Sequence, residues 1–300
     1  MALQPEIWHG DIVGNFYASN EFMLFSTNAD QYVVGGRAVH IPNANAPSNV
    51  SVNRSVLPAT VSTRTDIDVN YTLDEYTSDP ISIPNIDTIQ LSYDKRASVM
   101  AEDTSNIKDK AAKNMLYKWA VNCTTNVFTT GTAASATAAG ATGTRKLFTK
   151  ADLLSAKTLM DKQDVPQAGR VAVLPPDFLA QLLADKDLAV NFTTYADIAK
   201  GVVGEVYGFK IMMRSSTLAA DKTTNVAKAP SAATAATDNS VALCWHPVAV
   251  ERAMGTVKMF GQQDNPLYYA DIYSFLLMMG GRARRNDGKG IVQIIETWVS

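Results

Sequence analysis

The chain reads as an α+β protein, and three patterns carry that reading. Residues 66–73 alternate polar and apolar without a break, as a half-covered strand does. Apolar and small residues then recur every four positions from Ile107 to Val127, as along one face of a helix. Strand and helix segments do not alternate as βαβ units, and no repeat of fixed period is present.

The bulk numbers narrow the function classes. A chain of 300 residues, 46 % of them hydrophobic, can bury a large core. Its formal charge is −2. Proteins that grip nucleic acid electrostatically usually carry a basic excess, so DNA binding is not its main task, and only weak local contact is expected. Cys123 and Cys244 form neither a disulfide framework nor a zinc spacing. Reduced, packed thiols and a cytosolic origin are expected. The segment Met1–Glu6 shows no signal peptide. The apolar run 275–279 is too short to span a bilayer.

Taken in order, residues 1–31 are irregular and aromatic (Trp8, Phe16, Tyr17, Phe22, Phe25). Composition fits either an arm on a neighbouring surface or a wrap over the chain's own core. Strand signals at 32–34 and 38–41 flank Gly35-Gly36, and Pro42 closes them. In the alternating run, Ile67, Val69, Tyr71 and Leu73 share one face. Turn residues 74–80 and an extended stretch 81–91 follow, so residues 55–93 read as one long hairpin. A lone hairpin is marginal in water, so its apolar face calls for a partner sheet from its own chain or another copy.

A helix is expected over 104–127, capped by Thr104 or Ser105 and ~36 Å long at 1.5 Å per residue. The low-complexity run 129–144 reads as a mobile loop. A second helix at 150–163 has Thr149 as N-cap and Asp152 in the capping-box position, with Leu153, Leu154 and Met160 inward. A buried strand at 171–174 precedes a helix opened by Pro175-Pro176, with Phe178, Leu179, Leu182 and Leu183 on one face. Strand and turn follow at 202–213, a loop at 219–239, a buried strand at 241–245, and a short helix at 248–254. Strands at 268–279 and 291–298 close the chain around a charged turn, 282–290.

Catalytic patterns are missing. His9, His40 and His246 have no companions at ligand spacing, and there is no Gly-x-Ser-x-Gly elbow. The glycines 201, 204 and 208 do not match a dinucleotide fingerprint. Asp66, Asp68 and Asn70 resemble the start of a calcium loop, but Tyr71 and Thr77 stand where Gly and Glu belong. No catalytic residue, cofactor or metal is expected, and the chain reads as a non-enzyme. Arg282, Arg284 and Arg285 form the densest basic cluster. It fits a solvated turn, an inter-subunit patch or a DNA-facing patch. The distinctive features are an aromatic arm, a long hairpin and a long amphipathic helix, each offering surface for another chain.

Several runs resemble the tailed-bacteriophage major capsid family of the Hong Kong ninety-seven type. Residues 35–42 (GGRAVHIP) resemble the strand entering that family's extended loop. Residues 73–83 (LDEYTSDPISI) and 91–96 (LSYDKR) resemble the loop tip and its return to the spine helix. Residues 170–176 (RVAVLPP), 208–211 (GFKI), 214–216 (RSS) and 246–250 (HPVAV) resemble its axial domain.

The resemblance implies an N-terminal arm (1–31), an extended β-hairpin loop (32–97), and a peripheral domain with the spine helix (98–170). It further implies an axial domain (171–259) and return strands to the peripheral domain (260–300). It implies self-assembly into pentamers and hexamers that close as an icosahedral shell around double-stranded DNA. Residues 55–93 would lie over a neighbour. With few residues before the first strand, a separate scaffold protein is expected, together with a portal. The expected location is the virion capsid, assembled in the host cytoplasm without a membrane. The inter-subunit contact candidates are Trp8, Phe16, Tyr17, Ile67, Val69, Tyr71, Leu73, Arg282, Arg284 and Arg285. An encapsulin-like nanocompartment enclosing a cargo protein is the alternative; a soluble enzyme with an unrecognised site is a third.

Overall fold

A computed structural model describes residues 21–35, 37–43, 50–55, 57, 58, 61, 67–84, 95–184, 202–285 and 287–299. The first part of the chain supplies β1 (Thr27–Asn28), β2 (Val33–Val34), β3 (Ala38–Asn43), β4 (Ile67–Thr72), β5 (Asp74–Thr77) and β6 (Ile81–Pro84). Then come α1 (Lys95–Ala120), β7 (Asn126–Phe128), β8 (Ala133–Ser135), β9 (Thr144–Lys146) and α2 (Lys150–Lys162). The middle holds β10 (Arg170–Leu174), α3 (Pro176–Leu183), β11 (Val202–Val206), β12 (Phe209–Met213), β13 (Leu218–Ala220) and β14 (Asn239–Trp245). The chain closes with β15 (Val250–Asn265), β16 (Ala270–Ala283), β17 (Ile291–Ile295) and β18 (Thr297–Trp298).

One sheet forms the body, in the order β11-β12-β10-β14-β17-β7, with β13 also paired to β14. Every residue of β10, β14 and β17 is buried, as in a sheet covered on both faces. Strand alternation sorts them. Val171, Val173, Val241, Leu243 and Trp245 pack with Ala111, Met115, Leu116 and Trp119 of α1. Ala172, Leu174, Ala242, Cys244, Val292 and Ile294 pack instead with Leu153 and Met160 of α2 and Phe178 and Leu182 of α3. Phe148 and Phe178 stack at 5.0 Å beneath that layer. Each large apolar side chain so buried contributes about 1.5–3 kcal/mol.

A second sheet is a long ribbon. β15 and β16 pair antiparallel from Val250↔Ala283 to Asn265↔Ala270. At ~3.3 Å per residue a strand of sixteen residues reaches roughly 50 Å. β5 and β6 lie end to end along the outer edge of β16, and β1 runs parallel to the root of β15. Smaller sheets are β2-β3-β4 and β18-β9-β8. Residues 21–29 wrap over the chain's own core. Phe22 meets Trp119 and Trp245 edge-on at 5.8 and 6.4 Å, and the Trp245 indole N–H donates to the Phe25 carbonyl at 2.7 Å.

Local signals survive well. Thr149 and Asp152 form the expected capping box, with the Thr149 N–H donating to Asp152 Oδ2 at 2.8 Å. Several expectations change. The segment 55–93 is not one hairpin: β4 pairs with β3, while β5 and β6 pair with β16. The long helix spans 95–120, not 104–127, so Thr104 lies inside it and its hydroxyl donates to the Met100 carbonyl at 2.7 Å. The helix expected at 248–254 is a 3-10 turn over 247–249 that runs into β15, because register with β16 outweighs local propensity. Residues 133–135 of the low-complexity run pair as a strand with 144–146 at its end. Leu154 and Leu183 are exposed, not inward. Arg282 lies within β16, one residue before its end, and not in the following turn.

The boundaries expected at 170/171 and 259/260 do not divide the sheets. β7 and β17 share the body sheet with β10 to β14, and β15 runs unbroken from 250 to 265.

Candidate assembly surfaces

Three elements converge at the root of the ribbon. α1 crosses there, and the Trp119 indole N–H donates to the Glu251 carbonyl at 2.9 Å. Gly281 makes the crossing possible: a Cβ there would run into the Glu251 carbonyl oxygen and Met115 Sδ. The Glu251 side chain is 2 % exposed, with Oε2 3.5 Å from Arg284 Nε. Its Oε1 has no hydrogen-bond partner among the described residues. Burial pushes its pKa up to about 7, against the pull of Arg284 and Arg282. Burial also raises the Tyr71 phenol, and the Glu251 charge adds to the effect.

The predicted residues Tyr71, Arg282 and Arg284 thus meet around Glu251, an acid that no sequence pattern singles out. Arg285 stands apart, exposed and paired with Asp287 at 2.8 Å. Leu73 is buried within its own subunit, with Ala29, Val39, Ala253 and Met278, and leaves no surface for a neighbour. The side-chain alternation holds where it is described: Tyr71 and Leu73 turn inward, and Asn70 and Thr72 are exposed. For Ile67 and Val69 only the backbone in β4 is described; Trp8, Phe16 and Tyr17 lie outside the described residues.

Two groups of exposed apolar side chains stand out among the described residues. One lies on the chain between β3 and β4, where Val50, Val52, Leu57 and Val61 are all largely exposed. The other is the ribbon tip, Leu267, Tyr268 and Tyr269, with Phe260 further down the strand. Sequence reading placed 268–279 in a strand and so missed this tip. The signal was there in Asn265-Pro266, a turn pair ahead of three apolar residues.

A family model described as a phage capsid protein matches residues 94–296, more than half of the 300-residue chain. No curated protein matches the chain. Among solved structures, the capsid of Ralstonia phage GP4 is similar at a TM-score of 0.64 and 12 % identity, over 92 % of this chain and 87 % of that one. The capsid of cyanophage P-SCSP1u is similar at 0.62 and 18 % identity, over 90 % and 86 %. A chain of Mycobacterium phage Che8 is similar at 0.56 and 20 % identity, over 86 % and 84 %. At such identities the likeness is one of fold, and it is the tailed-phage coat fold expected from the order of loop, long helix and mixed sheets. The family match takes in α1, the body sheet and the ribbon, and the chain belongs to the phage capsid protein family.

Proposed function

We propose that this chain is the major capsid protein of a tailed phage, assembling as pentamers and hexamers into an icosahedral shell around double-stranded DNA. One observation carries the reading: the family match covers the whole scaffold from α1 to β17, while the elements projecting from it carry exposed apolar ends. A closed shell repeats one set of contacts many times. Each contact can be weak, because a subunit leaves only by breaking several together.

By role, we infer an arm (1–31), an extended loop (32–97), a peripheral domain with the spine helix (98–170), an axial domain (171–259) and return strands (260–300). The portal, a separate scaffold protein and weakly held DNA are the further partners we infer from the family, with assembly in the host cytoplasm. The similar solved structures described above are phage capsids, which favours a phage shell over a nanocompartment.

The test is electron microscopy of the full chain expressed in bacteria, alone and with the neighbouring genes of its genome. Closed shells of uniform diameter, with no enclosed cargo protein, are expected. A chain that stays monomeric in both conditions, or shells filled with a dedicated protein cargo, would contradict the reading.

A further inference from the structure

We propose that the sheet β2-β3-β4, with residues 29–32 that lead into it, is a proton-sensitive lid over Glu251: it sits on the ribbon root while that carboxyl is neutral and lifts once it ionises. The inference concerns the single subunit and does not depend on the capsid reading. Two adjacent glycines show how the lid is seated. A Cβ on Gly281 would strike Met115 of α1, whereas a Cβ on Gly280 would come within 3.0 Å of Leu73 Cδ2 and 3.2 Å of Leu73 Cα. Neighbouring residues of a strand point to opposite faces. So α1 covers one face of the root, and the chain leaving β4 covers the other. Glu251 lies on the lid's side. It stands opposite Arg282 and shares a face with Ala253, which packs with Val39 and Leu73 and, at the margin, Tyr71.

The lid is lightly held. Its buried Ala29, Val39 and Leu73 meet Ala253 and Met278 of the ribbon. Two hydrogen bonds cross to β15: the Ala29 N–H donates to the Arg252 carbonyl at 2.8 Å, and Asp30 Oδ1 accepts the Met254 N–H at 2.7 Å. On the other face α1 is seated by Ala111, Met115, Leu116 and Trp119 as part of the large core. Of the two covers, the lid opens at lower cost. Beneath it, Glu251 Oε1 and the Tyr71 hydroxyl are buried without a hydrogen-bond partner among the described residues, and water reaching them would satisfy both. The charged and titratable groups around this pair are Arg282 on β16, Arg284 just beyond it, and Asp30 ahead of β2. From α1 comes the neutral Trp119 indole, bonded to the Glu251 carbonyl. The two arginines favour the ionised carboxylate, yet burial outweighs them. The closed lid therefore keeps a proton that the hydrated carboxyl would lose, and opening becomes easier as pH rises from 4.5 to about 7.

Hydrogen exchange on dissociated subunits of the full chain tests this, with rates corrected for the intrinsic base catalysis of exchange. The Ala29 and Met254 amides should exchange far faster than those of β14, and their opening constant should rise on the order of tenfold between pH 5 and pH 8. Amides of β8 and β9, in a sheet that shares no strand with the ribbon, should show no such rise. Glu251→Gln should flatten the profile at Ala29 and Met254, and Tyr71→Phe should leave it in place. Ala29 and Met254 amides as slow as those of β14 overturn the proposal, because nothing then opens short of the whole subunit. A flat profile in the unaltered chain, which needs no variant to fold, overturns it too, and so does a rise that survives Glu251→Gln.

Discussion

The body sheet and the ribbon are made of the same kinds of residue and are stabilised in opposite ways. In the body, β10, β14 and β17 are covered by helices on both faces of a single subunit. Even its buried charge is well served there. Arg170 of β10 donates to the Pro166 carbonyl at 2.9 Å and to the Val165 carbonyl at 2.6 Å, and lies 2.7 Å from Asp161 Oδ1. In the ribbon, cover thins outward along β15, from buried Val250 and Glu251 to exposed Phe260 and Gly261. Its deeply buried carboxylate, Glu251, keeps one oxygen without a hydrogen-bond partner among the described residues. Within one subunit the body is closed on both faces, while the outer half of the ribbon keeps apolar side chains in water.

The sharpest way to break this contrast is inside the body. Trp245→Ala removes a fully buried indole and its 2.7 Å hydrogen bond. It should cost about 3–5 kcal/mol, read by urea unfolding of dissociated subunits. A loss of similar size from a ribbon-tip variant would erase the distinction.

At the junction, Gly281→Ala forces a methyl group against Met115 and the Glu251 carbonyl. A cost of about 1–3 kcal/mol is expected, together with faster proteolysis of the ribbon than of the body.

Glu251 gives a pH-dependent test. Its folded pKa, about 7, lies above the ordinary 4.5. The folded state therefore holds a proton that the unfolded state has lost, and stability falls as pH rises between those values. Glu251→Gln keeps the shape and removes the titration. Relative to the parent chain, the variant should gain on the order of 1–2 kcal/mol between pH 5 and pH 8, followed by melting temperature. A constant difference across that range would contradict the burial argument.

The smallest expected effect is on the outer ribbon. Phe260→Ser should change subunit stability by no more than about 0.5 kcal/mol while lowering the yield of closed particles.

What the sequence made legible follows from how local each signal is. The Thr149–Asp152 box and the Pro175-Pro176 helix start are decided within a few residues, and both stand in the structure. β14 was readable as an apolar run because a fully covered strand needs no alternation. β4 was read correctly as a strand, but its partner was not the next strand along: the ladder to β3 closes a long loop that no local pattern announces. β15 was missed because Gly255, Gln262, Gln263 and Asp264 carry little strand preference, and β16 supplies the template instead. Glu251 carries no local sequence signal, and only the fold brings α1, β4 and β16 around it.

Hydrogen exchange on free subunits and on assembled particles tests the central claim most directly. The account predicts that amides of residues 50–55 and 264–270 exchange quickly in the subunit and become protected in the particle, while β10, β14 and β17 are slow in both. Equal exchange at the tip and loop in both states would contradict it.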